Sequence, residues 1–222
     1  MKFVGHAIVA ILLSCCALSA QAAEWTPFQL SLVNPVQLFP EESRVQGVRI
    51  NLLYGVNREV DGLDYGPVNR TTGTTQGVQT GAFPFGGINI TGDLYGMQVG
   101  GVLGGLNIAG GEVHGVQISG IFAGINRAGN VSGVQLSGII GGINKAENVS
   151  GVQIAGTFLG VNLAKNVQGF QLGTIYNQAG AMEGLQLGLV NVCSKMQGVQ
   201  IGLVNVIKEN NIPFFPIVNG RF

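Results

Sequence analysis

The sequence predicts an all-β protein, a repeat β-solenoid of parallel coils of 14 to 19 residues, on three observations. Glycine makes up 37 of the 222 residues, far above the roughly 7% of an average protein. A unit of the form Gly-aliphatic-Gln-aliphatic, closed by an aliphatic residue and Asn, recurs along the chain. The connectors between units resemble one another, so the period is one unit and not two.

Composition removes the competing classes. No G-X-Y period exists, which excludes collagen, and Ile, Val and Leu are too abundant for a disordered linker. Helix is disfavoured in the repeats, because Gly every few residues costs about 1 kcal/mol each relative to Ala. Of eleven Lys and Arg only Lys2 precedes Ala23, which leaves ten against eleven Asp and Glu. No segment collects one sign of charge, so nucleic acid or another polyanion has no electrostatic basis as a partner.

Residues 1–22 read as a signal peptide. Lys2 supplies a positive start, Ala7 to Leu18 is an apolar run too short to span a bilayer, and Ala20-Gln21-Ala22 offers small residues for cleavage after Ala22. Leu12-Leu13-Ser14-Cys15 loosely resembles a lipobox. Its second leucine fits poorly and cleavage before Cys15 would leave a very short signal, so an unlipidated chain is expected. Cys15 and Cys16 then depart with the signal, and Cys193 alone cannot form an internal disulfide.

Residues 23–47 are expected to cap the N-terminal end, where Trp25, Pro27, Pro35 and Pro40 precede the regular units. The β-repeat domain is placed at 48–212. Its units are marked by Gln117, Gln135, Gln153, Gln171, Gln186 and Gln200, each followed by a Gly-rich aliphatic stretch ending at Asn126, Asn144, Asn162, Asn177, Asn191 and Asn205. The pattern extends backwards through Gln98 to Asn107 and Gln79 to Asn89, and more loosely to Asn69, Asn57 and Asn34. From Gln79 to Gln200 the successive spacings are 19, 19, 18, 18, 18, 15 and 14, and the shortening removes four residues from one side of the unit. Residues 213–222 form a C-terminal capping repeat, in which Ile217-Val218-Asn219 continues the pattern without its Gln.

Within a unit, apolar residues alternate with polar or tiny ones, as in Leu185-Gln186-Leu187-Gly188-Leu189-Val190-Asn191, which is the period of a strand. So short a strand buries no face alone, and each unit must stack on its neighbours. The alternative architecture is an up-and-down β-barrel, in which successive connections lie at opposite ends. The equivalent six-residue connectors 127–132, 145–150 and 163–168 favour coils. These recurrent Asn and Gln then become a structural ladder, in which stacked amides hydrogen-bond from coil to coil.

Gly198-Val199-Gln200-Ile201-Gly202-Leu203-Val204-Asn205 and the ending Pro213-Phe214-Phe215-Pro216-Ile217-Val218-Asn219 resemble a family of exported bacterial surface-repeat proteins. The resemblance covers most of the mature chain, and its motif carries no activity. It implies export and repeat architecture only. The 14-residue coil is also similar in length to those of trimeric adhesin heads, by analogy alone.

Residues that could carry chemistry are few. His6 lies in the signal, and His114 has no second His or Cys for metal binding. Cys193 reads as a small corner or core residue. Gly100-Gly101-Val102-Leu103-Gly104-Gly105 lacks the Lys-Ser or Lys-Thr of a phosphate loop. Asp61, Asp64 and Asp93 are the best acid candidates, but they do not recur at coil spacing, and no calcium-binding nonapeptide series exists. The sequons at Asn130 and Asn148 read as turn residues. No catalytic, cofactor-binding or metal site is assigned and no cofactor is expected. The resulting expectation is a non-enzymatic repeat protein of the periplasm, outer membrane or cell surface, acting on an unidentified envelope or surface partner. Membrane association is compatible with it. An outer-membrane β-barrel, suggested by the terminal Phe222, and a glycan-active β-helix are the alternatives.

Overall fold

A computed structural model describes residues 24–222. The expected signal segment, its cleavage point after Ala22, Cys15 and His6 lie outside the described residues. Those described contain nineteen strands and no helix, joined into a β-solenoid of about 10 turns. The barrel alternative is thereby overturned: unit stacks on unit in parallel, with like residues paired, where a barrel of this kind would alternate strand direction.

Each coil contributes two strands, and like strands pile into two stacks. The first stack runs through Glu59–Tyr65, Thr74–Thr80, Asp93–Val99, Glu112–Ile118, Asn130–Ser137, Asn148–Ala155 and Asn166–Gly173. The second runs through Val68–Thr71, Gly86–Thr91, Gly104–Ala109, Ala123–Arg127, Gly141–Lys145 and Leu159–Leu163. Toward the C-terminus the coils shorten, and single long strands, Tyr176–Leu187 and Val190–Ile207, serve both stacks. The residues lost there are those of an outward corner, present as Ser119 to Phe122 or Ser137 to Ile140 in the longer coils.

A glycine bends every first-stack strand at the same point. Gly115, Gly133 and Gly151 have φ of 148°, 148° and 142°, a region closed to side chains. A Cβ on Gly133 would also strike the carbonyl oxygen of Gly115 in the coil before. Strand alternation points Val131 and Gln135 inward and Ser132 and Val134 outward on either side of the bend.

The interior is divided. Beside the short connectors it is apolar, with Leu94, Val113, Val131, Val149, Val167, Met182 and Met196 from one stack facing Ala109, Ala128, Ala146, Ala179 and Cys193 from the other. Beside the outward corner it is filled by buried amides. Cys193 thus takes an alanine position in the core.

Both ends depart from the simple repeat. Trp25–Val33 already pairs in parallel with Arg44–Asn57, so the N-terminal segment begins as a coil strand. The last strand, Phe214–Arg221, reverses and pairs antiparallel with Val190–Ile207, setting Asn219 opposite Gln200. The closing unit therefore covers the end of the stack in the opposite direction and does not extend the repeat forward. Pro213 and Pro216 suit that edge, since neither can donate to a further strand.

Candidate functional site

The Gln residues at ladder positions are fully buried and joined in one chain of hydrogen bonds. Gln117 donates from Nε2 to Gln98 Oε1 at 2.7 Å, Gln135 to Gln117 at 2.8 Å, Gln153 to Gln135 at 2.8 Å and Gln171 to Gln153 at 2.7 Å. Gln186 and Gln200 continue it, each at 2.7 Å to the Gln before. Every bond points toward the N-terminus. The Asn chain beside it points the other way: Asn126 donates from Nδ2 to Asn144 Oδ1 at 2.9 Å, Asn144 to Asn162 at 2.9 Å, and Asn162 to Asn177 at 2.9 Å. Asn177 and Asn191 each donate to the next Asn at 2.8 Å, and Asn205 ends the run. The aligned amide dipoles of the two columns are thus opposed. The second amide hydrogen reaches a backbone carbonyl, as from Asn144 to Ile154 O at 2.8 Å. Leaving such a buried donor or acceptor unpaired costs about 1 to 3 kcal/mol.

At the N-terminal end the Gln column becomes ionic. Asp64 and Arg49 take the next two positions, in register with Gln79 above and Gln29 below. Arg49 donates from Nε to Asp64 Oδ1 at 2.7 Å and from Nη1 to Arg70 O at 2.9 Å, and both side chains are fully buried. Asn51 ties the columns together, donating to Asp64 Oδ1 at 3.0 Å and to Asn69 Oδ1 at 2.7 Å. The loose extension of the Asn pattern to Asn57 and Asn34 needs correction. Gly55 stands in register with Asn69, and the side chain of Asn51 fills the space a Cβ there would need. Asn57 pairs with Thr71 instead, and Asn34 lies at a turn where it donates to Glu41.

The acid candidates do not converge. Asp64 is held by Arg49, Asp61 lies 3.5 Å from Arg44, and Asp93 accepts from the backbone N–H of Glu112 at 2.8 Å. His114 is exposed and stacks on Tyr95 with ring centroids 5.0 Å apart. Among the described residues no three of His, Cys, Asp and Glu form a metal-binding group. Burial pushes the Cys193 thiol up to about 12, so it carries no thiolate near neutral pH. Asn130 and Asn148 open strands rather than turns, and they form an outer amide chain: Asn166 donates to Asn148, Asn148 to Asn130, and Asn130 to Glu112 Oε1 at 2.6 Å.

The exterior is as sharply divided as the interior, but inverted. Around the apolar half of the core the surface carries Glu112, His114, Glu147 and Lys165. Around the amide half it carries Val116, Ile118, Ile125 and the corner pairs Ile121 and Phe122, Ile139 and Ile140, Phe158 and Leu159, with Ile139 55% and Phe158 66% exposed. From Gly77 onward, no Asp, Glu, Lys or Arg lies between the bend glycine of any coil and its ladder Asn. The two ionised groups of this arc in earlier coils are the buried pair Arg49 and Asp64. Sequence patterning singled out the amides but not this charge-free arc, although counting charges between Gly115 and Asn126, or Gly133 and Asn144, displays it.

These features define the class of protein as a β-solenoid with an amide-filled edge wrapped in apolar side chains. No protein-family model, no curated protein and no solved structure matches the chain.

Proposed function

We propose that the protein is a non-enzymatic scaffold of the cell envelope that presents one long face of its solenoid to an envelope partner. The observation that carries this reading is the charge-free, exposed apolar arc repeated coil after coil. Monomeric soluble proteins rarely expose contiguous apolar patches beyond a few hundred Å² unless the patch binds something. The acids that could serve hydrolysis support the same reading, since Asp64 is locked in an ion pair and Asp61 and Asp93 are separately engaged. The apolar start of the chain and its resemblance to exported surface-repeat proteins support an envelope location.

The test incubates the purified protein with isolated envelope, peptidoglycan and lipopolysaccharide. Retention without chemical change is expected. Release of reducing sugar or acid that disappears in Asp61→Asn or Asp93→Asn, with the melt unchanged, would overturn the reading in favour of a glycan-active β-helix.

A further inference from the structure

The apolar arc poses a specific problem, because each possible occupant would need something different from it. A protein partner, or a second copy, needs direct polar contacts, about one hydrogen bond per 100 to 200 Å² of interface. Between Gly115 and Asn126 the outward side chains are Val116, Ile118, Ile121, Phe122, Ala123 and Ile125, none of which can donate or accept. Backbone groups at the corner are already used within the stack: Ile121 N–H donates to Val102 O at 2.9 Å, Ile140 to Phe122 O at 3.0 Å and Leu159 to Ile140 O at 2.9 Å. The coils offer similar surfaces, the exposed Thr157 at the Ile139 position being a polar exception, so a protein partner shifted by one coil, about 4.8 Å, would keep most of its contacts. Little in the arc would fix its register.

A lipid surface needs neither hydrogen bonds nor register. It favours polar backbone that is satisfied internally, as the N–H groups of Ile121, Phe122, Ile140 and Leu159 are at this corner, and it demands that no charge face the acyl chains, as none does. The polar groups beneath are amides bonded to one another inside the coil. The border of the arc supplies the remaining feature. The position following the ladder Asn on the second stack is outward and is occupied along the pairing by Arg70, Ile90, Ile108, Arg127, Lys145 and Leu163, with three cations and no acid. All three cations are exposed, and none is ion-paired among the described residues. A row of cations edging an apolar strip complements anionic headgroups above acyl chains.

Resting on the envelope-scaffold reading, we infer that the partner of this face is a lipid bilayer surface. The solenoid lies along the membrane plane with its corner ridge, Ile121 and Phe122, Ile139 and Ile140, Phe158 and Leu159, seated among the acyl chains. Arg70, Arg127 and Lys145 lie at the headgroup phosphates.

The test places a single tryptophan in the full chain, in a Trp25→Phe background, at Ile139→Trp, at Phe158→Trp or at the opposite border at Ser150→Trp. The vesicles are phosphatidylethanolamine and phosphatidylglycerol with brominated acyl chains, which quench only immersed indoles. Thermal melts check that each variant is folded, and the two ridge positions guard against the loss of either one. Loss of fluorescence at 139 and 158 with little at 150 is expected. Arg127→Gln and Lys145→Gln should each weaken binding to these vesicles by about fivefold, and have no effect on neutral phosphatidylcholine.

Equal quenching at all three positions would overturn the inference, because it would mean non-specific insertion. Absence of quenching at both ridge positions would also overturn it, and a concentration-dependent sedimentation coefficient abolished by Phe122→Glu would then identify a second copy as the occupant. Either result leaves the scaffold reading intact, since that reading falls only to turnover of envelope material.

Discussion

Gln79 donates from Nε2 to Asp64 Oδ2 at 2.8 Å, and at that contact a column of neutral amides passes into a buried ion pair. The column has a direction, because each Gln offers its N–H₂ toward the N-terminus and its carbonyl oxygen toward the C-terminus. A carboxylate is a suitable terminus for it, being an acceptor only. Glu112 plays the same part for the outer chain, receiving Asn130. At the other end, Gln200 Oε1 is left without a partner, as a chain of this direction requires unless something donates to it.

The ion pair yields a sharp prediction. Asp64→Asn removes the charge opposing Arg49 while leaving a guanidinium fully buried, and breaking such a pair costs about 3 to 5 kcal/mol. Replacing both residues, Arg49→Gln with Asp64→Gln, extends the amide column toward Gln29 without stranding a charge and should cost much less than Asp64→Asn alone. Urea titrations followed by circular dichroism compare the variants. If the double variant falls as far as Asp64→Asn, the pair is more than an interruption of the ladder.

Buried polar groups in the same coil differ in what they contribute. Asn144 donates to Asn162 Oδ1 and Ile154 O and accepts from Asn126, so Asn144→Leu should cost about 1 to 3 kcal/mol. Ser137 is buried, but its hydroxyl has no hydrogen-bond partner, and the same position holds Ala155 in the next coil. Ser137→Ala should therefore be neutral or slightly stabilising. Lys145→Ala, on the exposed face, should change stability by less than about 0.5 kcal/mol. Similar melting temperatures for the Asn144 and Ser137 variants would contradict the ladder's contribution.

Cys193 links stability to alkaline pH. Desolvation raises the folded thiol to about 12 from an ordinary value of 9.0. Below pH 9 the thiol is protonated in both states and contributes no slope. As pH rises from 9 toward 12 the unfolded chain releases this proton and the folded chain does not, so stability falls. Cys193→Ala, which matches the alanines stacked before it, should flatten that fall relative to the native chain. In the folded protein the thiol should also resist iodoacetamide at pH 8 until denaturant is added. Rapid alkylation without denaturant would show that the core opens at this coil.

The parallel stack was legible because Gln and Asn recur at coil spacing, and only identical coils place amide over amide. What escaped was context that periodicity does not register. Arg49 and Asp64 occupy Gln positions with the right spacing, but their chemistry disguises them as members of no repeat. Asn51 reaches a ladder site from four residues earlier in the same strand, over Gly55, so the repeat pattern misplaces it and points to Asn57. The reversal of Phe214–Arg221 was hidden because Ile217-Val218-Asn219 copies the repeat in sequence while Pro213 and Pro216 deny it further strand partners. The apolar arc follows only once the amides are placed inside, because alternation then turns their neighbours Val116 and Ile118 outward, a consequence that a repeat pattern read for its amides alone does not display.

Removing one whole coil tests the repeat architecture itself. Deleting Gly133 to Ser150 joins Ser132 to Gly151, a junction identical in residue type to Ser150 and Gly151, and brings Gln153 over Gln117 and Asn162 over Asn126. Stability in a stacked repeat is close to a sum over units and nearest-neighbour interfaces, so this chain should show a cooperative β-sheet melt with a modest loss. Deleting Gly133 to Ile140 alone removes most of one strand and brings Gly141 to Lys145 into the wrong stack, where Gly141 would take the bend position, Ile143 would stand in the Gln column and Asn144 would point outward. That shorter deletion should aggregate. The comparison is read by circular dichroism and size-exclusion chromatography. If the whole-coil deletion aggregates as readily as the single-strand deletion, stability is not distributed over interchangeable coils.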